Sequence, residues 1–280
     1  MKKMRKAMEW VVESGFFLCA AAAVLALSVI VIFLLIQGIP AFQEIGVWKF
    51  VTGMTWQPSA DEYGIAPMIA ASLLATAGVA LLGGLIGLMC ALLLADVAPK
   101  ILGNVIRPLI NLLAGIPSVV YGLVGMIVLV PAIQRTFDLS SGACLLAAIL
   151  VLAVMILPSI INVSETALRA VPHEYEEASL ALGATEMETS FRVVLPAARS
   201  GVATAVVLGV GRAIGEAMAI IMVAGNVSNM PGLFTPVRFL TTGIVSGMAY
   251  AAVGSLYQQA LYSIALVLFL FIMLINATLN

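Results

Sequence analysis

The chain has 280 residues, 62% of them hydrophobic and only 10% charged, with a formal net charge of −1. Soluble domains carry roughly a quarter of their residues as charges, so this composition excludes a water-soluble fold and makes the bilayer the solvent. The net charge by itself says nothing about nucleic acid, but the sequence offers no basic stripe to bind it, and no nucleic-acid partner is expected. The three cysteines, Cys19, Cys90 and Cys144, lie in apolar runs with neither disulfide nor metal-ligand spacing.

In chain order, Lys2, Lys3, Arg5 and Lys6 precede an apolar run over 15–36. Its length of about 22 residues suits a membrane-spanning helix rather than the core of a signal peptide. It reads as an uncleaved first span. The stretch 37–66 reads as a loop whose Trp48, Trp56 and Tyr63 suit the membrane–water interface. A second span over 67–95 contains Gly83, Gly84 and Gly87, small residues that let a neighbouring helix approach. After a short loop over 96–107, a third span over 108–130 is interrupted by Pro117, which removes a helical hydrogen bond and restricts Ile116. Ser118 and Tyr121 are placed to satisfy the freed backbone groups or to face a polar path. A loop over 134–141 and a fourth span over 142–162 follow. Asn111 and Glu165, near span ends, read as interfacial.

The segment 163–197 is the longest polar, charged stretch. Pro172 suits the first turn of a helix, and Glu174, Glu176 and Glu177 suit the positive end of its dipole. Gly183 offers a left-handed stop. Thr185 and Glu188 spell a capping box for a second short helix, and Pro196 is expected to start a third. His173, the single histidine, reads as a solvated surface residue. Beyond it come a fifth span over 198–225 and a mixed loop over 226–258. The apolar part of that loop, 239–252, is too short to cross and reads as re-entrant or interfacial. The sixth span is 259–277. The expected fold class is all-α, a polytopic bundle of about six transmembrane helices.

Charge placement sets an orientation. With the N-terminus in the cytoplasm, Lys2, Lys3, Arg5, Lys6, Lys100, Arg107, Arg169, Arg192 and Arg199 fall inside, and Lys49, Arg135 and Arg238 outside, as the positive-inside rule expects. The polar segment is then cytoplasmic.

One basic residue falls within a span. Arg212 stands near the middle of the fifth, and Glu216 follows four residues later, which on an unbroken helix puts both on one face. A guanidinium at mid-bilayer costs roughly 2.5–3.5 kcal/mol on insertion scales and cannot shed its proton. The expected arrangement is a pair in which Glu216 holds Arg212, with Gly209, Gly211 and Gly215 leaving room for a helix or ligand. It serves either as an internal packing pair or as fork-like donors to a passing anion. No Gly-x-x-x-x-Gly-Lys-Ser/Thr sequence occurs, so the chain carries no visible phosphate-cradling loop for ATP.

Glu177-Ala178-Ser179, Gly183 and Val193-x-Leu195-Pro196 resemble, in residue type and spacing, the EAA loop of bacterial ABC import permeases. Ser179 replaces an Ala and Val193 an Ile. The resemblance implies an ABC type I importer (MetI-like) permease fold, one permease domain over 1–280 with its core over 67–280. It also implies a cytoplasmic coupling loop over 163–197 in which Glu177, Ala178, Ser179, Gly183, Leu195 and Pro196 dock on an ATPase. The run from Gly211 to Ala219 and the run from Gly115 to Gly122 resemble motifs of the phosphate-specific permeases, which implies a substrate path at Arg212 and Glu216. Trp56-x-Pro58 and the run from Tyr63 to Pro67 resemble the PstC-type subunit. The implied assembly contains a PstA-type second permease, two ATPase subunits and a periplasmic phosphate-binding protein in a bacterial inner membrane. The implied chain is a transport subunit, not an enzyme, with no cofactor of its own and ATP used by the partner ATPase. Left open beside this are another oxyanion or small polar solute on the same architecture, a proton-coupled transporter using Glu216, and a non-transporting scaffold.

Overall fold

The computed structural model describes residues 2–279, with side chains for residue 10 and for 12–277 apart from 96, 97 and 100. The side chains of Lys2, Lys3, Arg5, Lys6 and Lys100, which enter the charge-placement argument, lie outside the described ones. The fold is helical, with a single small hairpin among the described residues. Among the described residues five helices are long and apolar enough to cross a membrane, and counting the one bent pair, Glu186–Ala197 with Arg199–Gly215, as a single span gives up to six.

Helix α1 (Lys2–Ile45) runs nine residues beyond the expected end of the first span, straight through Pro40. Packing overrides the local break: Gly38 lies against the backbone of Ser263, and Ser263 Oγ donates to the Gly38 carbonyl at 2.6 Å. The apolar part, Val12–Ile45, holds 34 residues, about 51 Å of helix against a hydrocarbon core of about 30 Å, so it is long enough to cross with a tilt or to extend beyond the core. A short helix α2 (Val47–Thr52) then leads to the hairpin of β1 (Trp56–Gln57) and β2 (Glu62–Tyr63), paired Trp56 to Tyr63. The expected interfacial aromatics divide here: Trp48 is exposed, whereas Tyr63 is buried and meets the half-buried Trp56 edge-on at 5.6 Å.

Helix α3 (Ala66–Leu92) is the second span, closed by a π-turn over Leu93–Val97. The expected loop over 96–107 is instead the start of helix α4 (Lys100–Gly115). Its exposed face carries Ile101, Val105, Leu109 and Leu112, while Ile110 turns inward. That amphipathic period is what makes it a helix lying on the bundle. The third crossing shifts accordingly to Ser118–Thr136, formed by α5 (Ser118–Val124), a π-turn over Gly125–Leu129 and α6 (Val130–Thr136).

Helix α7 (Leu145–Arg169) is the hub. Ile149, Ile156 and Ile160 fill the space left by Gly78, Gly83 and Gly87 on α3, and a Cβ at any of these glycines would meet an isoleucine side chain at 2.7–2.8 Å. Helix α7 continues to Arg169, so 163–169 belongs to the span rather than to the polar connector. Then come α8 (His173–Ala181), α9 (Glu186–Thr189), a π-turn over Ser190–Val194 and α10 (Leu195–Ala197). Pro196 sits within this helical run and does not open the next helix. The chain bends by 74° before α11 (Arg199–Gly215). Gly209 on α11 also packs on Ile160, so α3, α7 and α11 meet around that side chain. The fifth crossing does not continue to residue 225: it breaks at Glu216 and resumes as α12 (Met218–Val223). Helix α13 (Leu240–Met248) is a short helix within the expected mixed loop, and α14 (Leu256–Leu279) is the last span.

Helix α7 separates two ends of the molecule. At its C-terminal end lie the polar connector, Arg107 and Arg169; at its N-terminal end, Cys144, Leu145 and Leu146 donate to the carbonyls of Val223, Thr235 and Leu233. Twenty-five residues of helix put these ends about 37 Å apart.

Candidate functional site

Two helix breaks stand near Arg212, one just before α5 and one at the end of α11. The first is at Ile116–Pro117, where both residues are extended, with ψ of 128° and 140°. Pro117 has no N–H for the Leu113 carbonyl four residues back. That carbonyl takes the Tyr121 hydroxyl at 2.8 Å and the Ile116 N–H at 3.2 Å instead. Tyr121 therefore performs the repair expected of it. Gly122 on the far side of the break approaches the Ala219 backbone of α12 so closely that a Cβ would meet it at 2.8 Å. The resumed halves of the two broken helices thus pack on each other.

The second break is at Glu216, whose ψ of 132° ends α11. It overturns the expected ion pair. Glu216 Oε1 accepts from the Ala219 N–H at 3.1 Å and caps α12, while the Glu216 carbonyl accepts from Thr241 Oγ1 at 2.9 Å. Same-face placement at a spacing of four needs a continuous helix, and this helix stops one residue short. Arg212 is exposed in the isolated chain and reaches only Ser159 Oγ on α7, at 3.4 Å. It lies within electrostatic reach of the Tyr121 hydroxyl. Among the described residues no carboxylate pairs with it. Gly209 is filled by α7, whereas Gly211 and Gly215 face open space. The result is a guanidinium at bilayer depth with donors to spare, beside two hydroxyls and two helix breaks, on a face the chain leaves uncovered. Broken helices at membrane depth persist where they line a cavity or meet protein.

At the far end of α7 the sequence reading missed a cluster. Glu165, expected to be interfacial, is buried. Its Oε1 accepts from Arg107 Nε at 2.7 Å and from Arg169 Nε at 2.9 Å. Both arginines also donate to the Leu94 carbonyl, at 3.0 and 2.9 Å. This ties the end of α3 to α4 and α7. Asn162 Nδ2 adds a second α4 contact by donating to Asn111 Oδ1 at 3.0 Å. The i, i+4 spacing of Glu165 and Arg169 is the one sequence signal that pointed here; Arg107 is 58 residues away.

The polar connector folds largely as its local rules require. Pro172 is the N-cap of α8, one residue outside the first turn, with Glu174 and Glu176 in that turn. Gly183 has φ +86°, the left-handed conformation glycine supplies cheaply. Its N–H bonds Leu180 and the next N–H bonds Ser179, a Schellman closure. The Thr185–Glu188 capping box is complete, with the Thr185 N–H donating to Glu188 Oε2 at 3.1 Å and the Glu188 N–H to Thr185 Oγ1 at 3.3 Å. The Thr185 backbone N–H, with its hydroxyl, holds the Glu188 carboxyl below its ordinary range. Glu177, Ala178 and Pro196 are exposed, Leu195 is half-buried, and Ser179 meets Thr189 at 2.9 Å. His173 is exposed and contacts Glu176 at 2.8 Å. Tyr175, Leu180, Leu182, Met187 and Phe191 leave a broad apolar surface on this small polar unit, the kind of patch that marks a protein interface.

Residues 83–280 match the family described as binding-protein-dependent transport system inner membrane components. A probable ABC transporter permease protein, YqgH, of Bacillus subtilis is 41% identical over 267 residues, 92% of this chain and 86% of that protein. The phosphate transport system permease proteins PstC of Mesorhizobium japonicum and Haemophilus influenzae are 31% and 34% identical, over 89% and 87% of this chain and 85% and 86% of theirs. Among solved structures, an inward-facing form of the MetNI methionine ABC transporter superposes with TM-score 0.60 at 22% identity, covering 77% of this chain and 92% of the matched one. That likeness establishes the fold alone.

Proposed function

We propose that this chain, which belongs to the binding-protein-dependent transport system inner membrane component family, moves inorganic phosphate as the permease subunit of an ATP-driven importer. Two of its relatives carry the name of phosphate permeases, and the observation that carries the reading is Arg212. A mid-depth guanidinium without a carboxylate partner, open on one side, is expensive unless an anion or water uses it. A planar fork of donors matches a phosphate face. Among the described residues its only side-chain hydrogen-bond partner, Ser159, is neutral and distant, so an oxyanion meets one charge and can leave again, as conduction requires. Glu216 serves this path by fixing the break, through its cap on α12 and its link to Thr241, rather than by neutralising Arg212.

The remaining parts follow. The connector around Glu177, Ala178, Ser179, Gly183, Leu195 and Pro196 offers the docking surface for an ATPase subunit, and its exposed apolar side chains supply the contact. Arg107, Arg169, Arg192 and Arg199 cluster toward the same end of the bundle, so the positive-inside rule assigns that end, and the N-terminus, to the cytoplasm of a bacterial inner membrane. A PstA-type permease covers the open face of α11, two ATPases supply the motion, and a periplasmic binding protein delivers phosphate. The chain hydrolyses nothing itself and holds no cofactor; ATP is used by the partner.

Arg212→Gln in the assembled importer tests this. Phosphate uptake is expected to fall at least about a hundredfold while the subunits still co-purify; wild-type uptake in the variant would overturn the path. A second reading keeps the same architecture with another oxyanion as cargo, since the name of the 41% identical Bacillus subtilis relative states no substrate. Competition of labelled phosphate uptake by sulfate and molybdate separates the two.

A further inference from the structure

The loop 224–239 at the other end of α7 holds a second arginine without a carboxylate. Arg238 is half-buried, and burial pushes its guanidinium below the ordinary arginine range. Its Nε donates to both the carbonyl (3.2 Å) and Oδ1 (3.1 Å) of Asn226. Among the described residues it has no ion-pair partner, and its two terminal nitrogens have no acceptor. A guanidinium carries five N–H donors, so four remain without an acceptor among the described residues. The Tyr257 hydroxyl lies within electrostatic reach.

The anchor itself is built at some cost. Asn226 adopts φ +52° directly after Gly225 at +84°, a left-handed conformation that a side chain disfavours and that clusters at functional sites. Ala224 and Val237 clip the loop shut by a backbone hydrogen bond of 2.8 Å, and Asn226 Nδ2 reaches Ser246 Oγ at 3.4 Å. Two residues on from Asn226, Ser228 Oγ is buried with no hydrogen-bond partner. The neighbouring N-terminus of α13 does not supply an anion site by itself, because its first N–H groups are already taken: Phe239 by Thr242 Oγ1 and Leu240 by Ser72 Oγ. The available positive charge here is the guanidinium. Three residues beyond Arg238, Thr241 Oγ1 holds the Glu216 carbonyl at the break beside Arg212, so one short helix connects the two unpaired arginines.

We propose that Arg238, aimed by Asn226, is an outer oxyanion station that receives the anion before it reaches Arg212. The proposal rests on the phosphate reading above and deepens it: the loop 226–258 becomes the entry to the path rather than a cover over it. The ligand class is a tetrahedral oxyanion, taken by the free edge of one guanidinium.

The test uses the complete importer in proteoliposomes, with liganded binding protein outside and ATP inside, and reads labelled inorganic phosphate moved per ATP hydrolysed. Arg238→Gln is expected to lower that ratio about tenfold, the worth of one lost charge-assisted hydrogen bond. Arg238→Lys, which keeps the charge without the fork, should recover part of it. An unchanged ratio in Arg238→Gln overturns the proposal. So does a parallel fall in uptake and hydrolysis at constant ratio, which would make Arg238 a structural or docking residue. If the wild-type complex carries sulfate or molybdate and not phosphate, the phosphate reading falls, and the same ratio measured with that anion still decides Arg238.

Discussion

Arg107 and Arg169 at one end of the bundle and Arg212 at its middle are the same residue type under opposite conditions. The first two share one carboxylate oxygen and one backbone carbonyl, so the burial of Glu165 is compensated and three elements are locked together. Arg212 has a single long contact to a hydroxyl and an open side. A buried charge surrounded by partners is architecture; a charge at bilayer depth whose own chain declines to pair it is held for something that comes and goes. Distance from the membrane surface does not make that distinction. The inventory of acceptors does.

Substitutions can break this contrast. The largest transport effect belongs to Arg212→Gln, which should leave the thermal unfolding midpoint of the purified complex near wild type while uptake is lost. Glu165→Ala should do the reverse. It strands two guanidinium groups, and because Arg169 is half exposed the loss is discounted to about 2–4 kcal/mol, read as a lowered midpoint. Glu165→Gln, which keeps an acceptor but not the charge, should fall between. A midpoint unchanged in Glu165→Ala would show that the cluster is not the lock described here.

Gly183→Pro sharpens the comparison at the connector. Proline fixes φ near −65°, which the observed +86° excludes, so the turn between α8 and α9 must rearrange. Co-purification with the ATPase subunit is expected to weaken markedly; undiminished co-purification together with transport-coupled hydrolysis would remove the docking role. The smallest effect is at the capping box. The Glu188 carboxyl is held low by Thr185, so its contribution is present above the ordinary carboxylate range and is lost as pH falls through the depressed value. Hydrogen exchange at the Glu188 amide should accelerate on acidification in the wild type, beyond the intrinsic rate change. Thr185→Ala should remove that extra dependence, and identical profiles in both would refute it.

Where interactions are local, residue order was enough. Composition and run length located the apolar spans. The Thr185–Glu188 box, the Gly183 turn and the Pro117 break each depend on partners within about five residues, and all three stand as their spacing requires. The failures share one cause. Continuation of α1 through Pro40 depends on Ser263. The burial of Glu165 depends on Arg107, and the Arg238 anchor on Asn226. The Arg212–Glu216 pair dissolved because the helix ends where α12 and Thr241 claim Glu216.

The sequence by itself therefore determined that this is a helical membrane bundle with a capped polar connector and an arginine at bilayer depth. Only the tertiary structure decided which arginines are neutralised and which are left free. A helical turn fixes neighbours three or four residues apart, but a charge buried in a bundle is partnered by whatever another helix brings beside it, and that follows from packing.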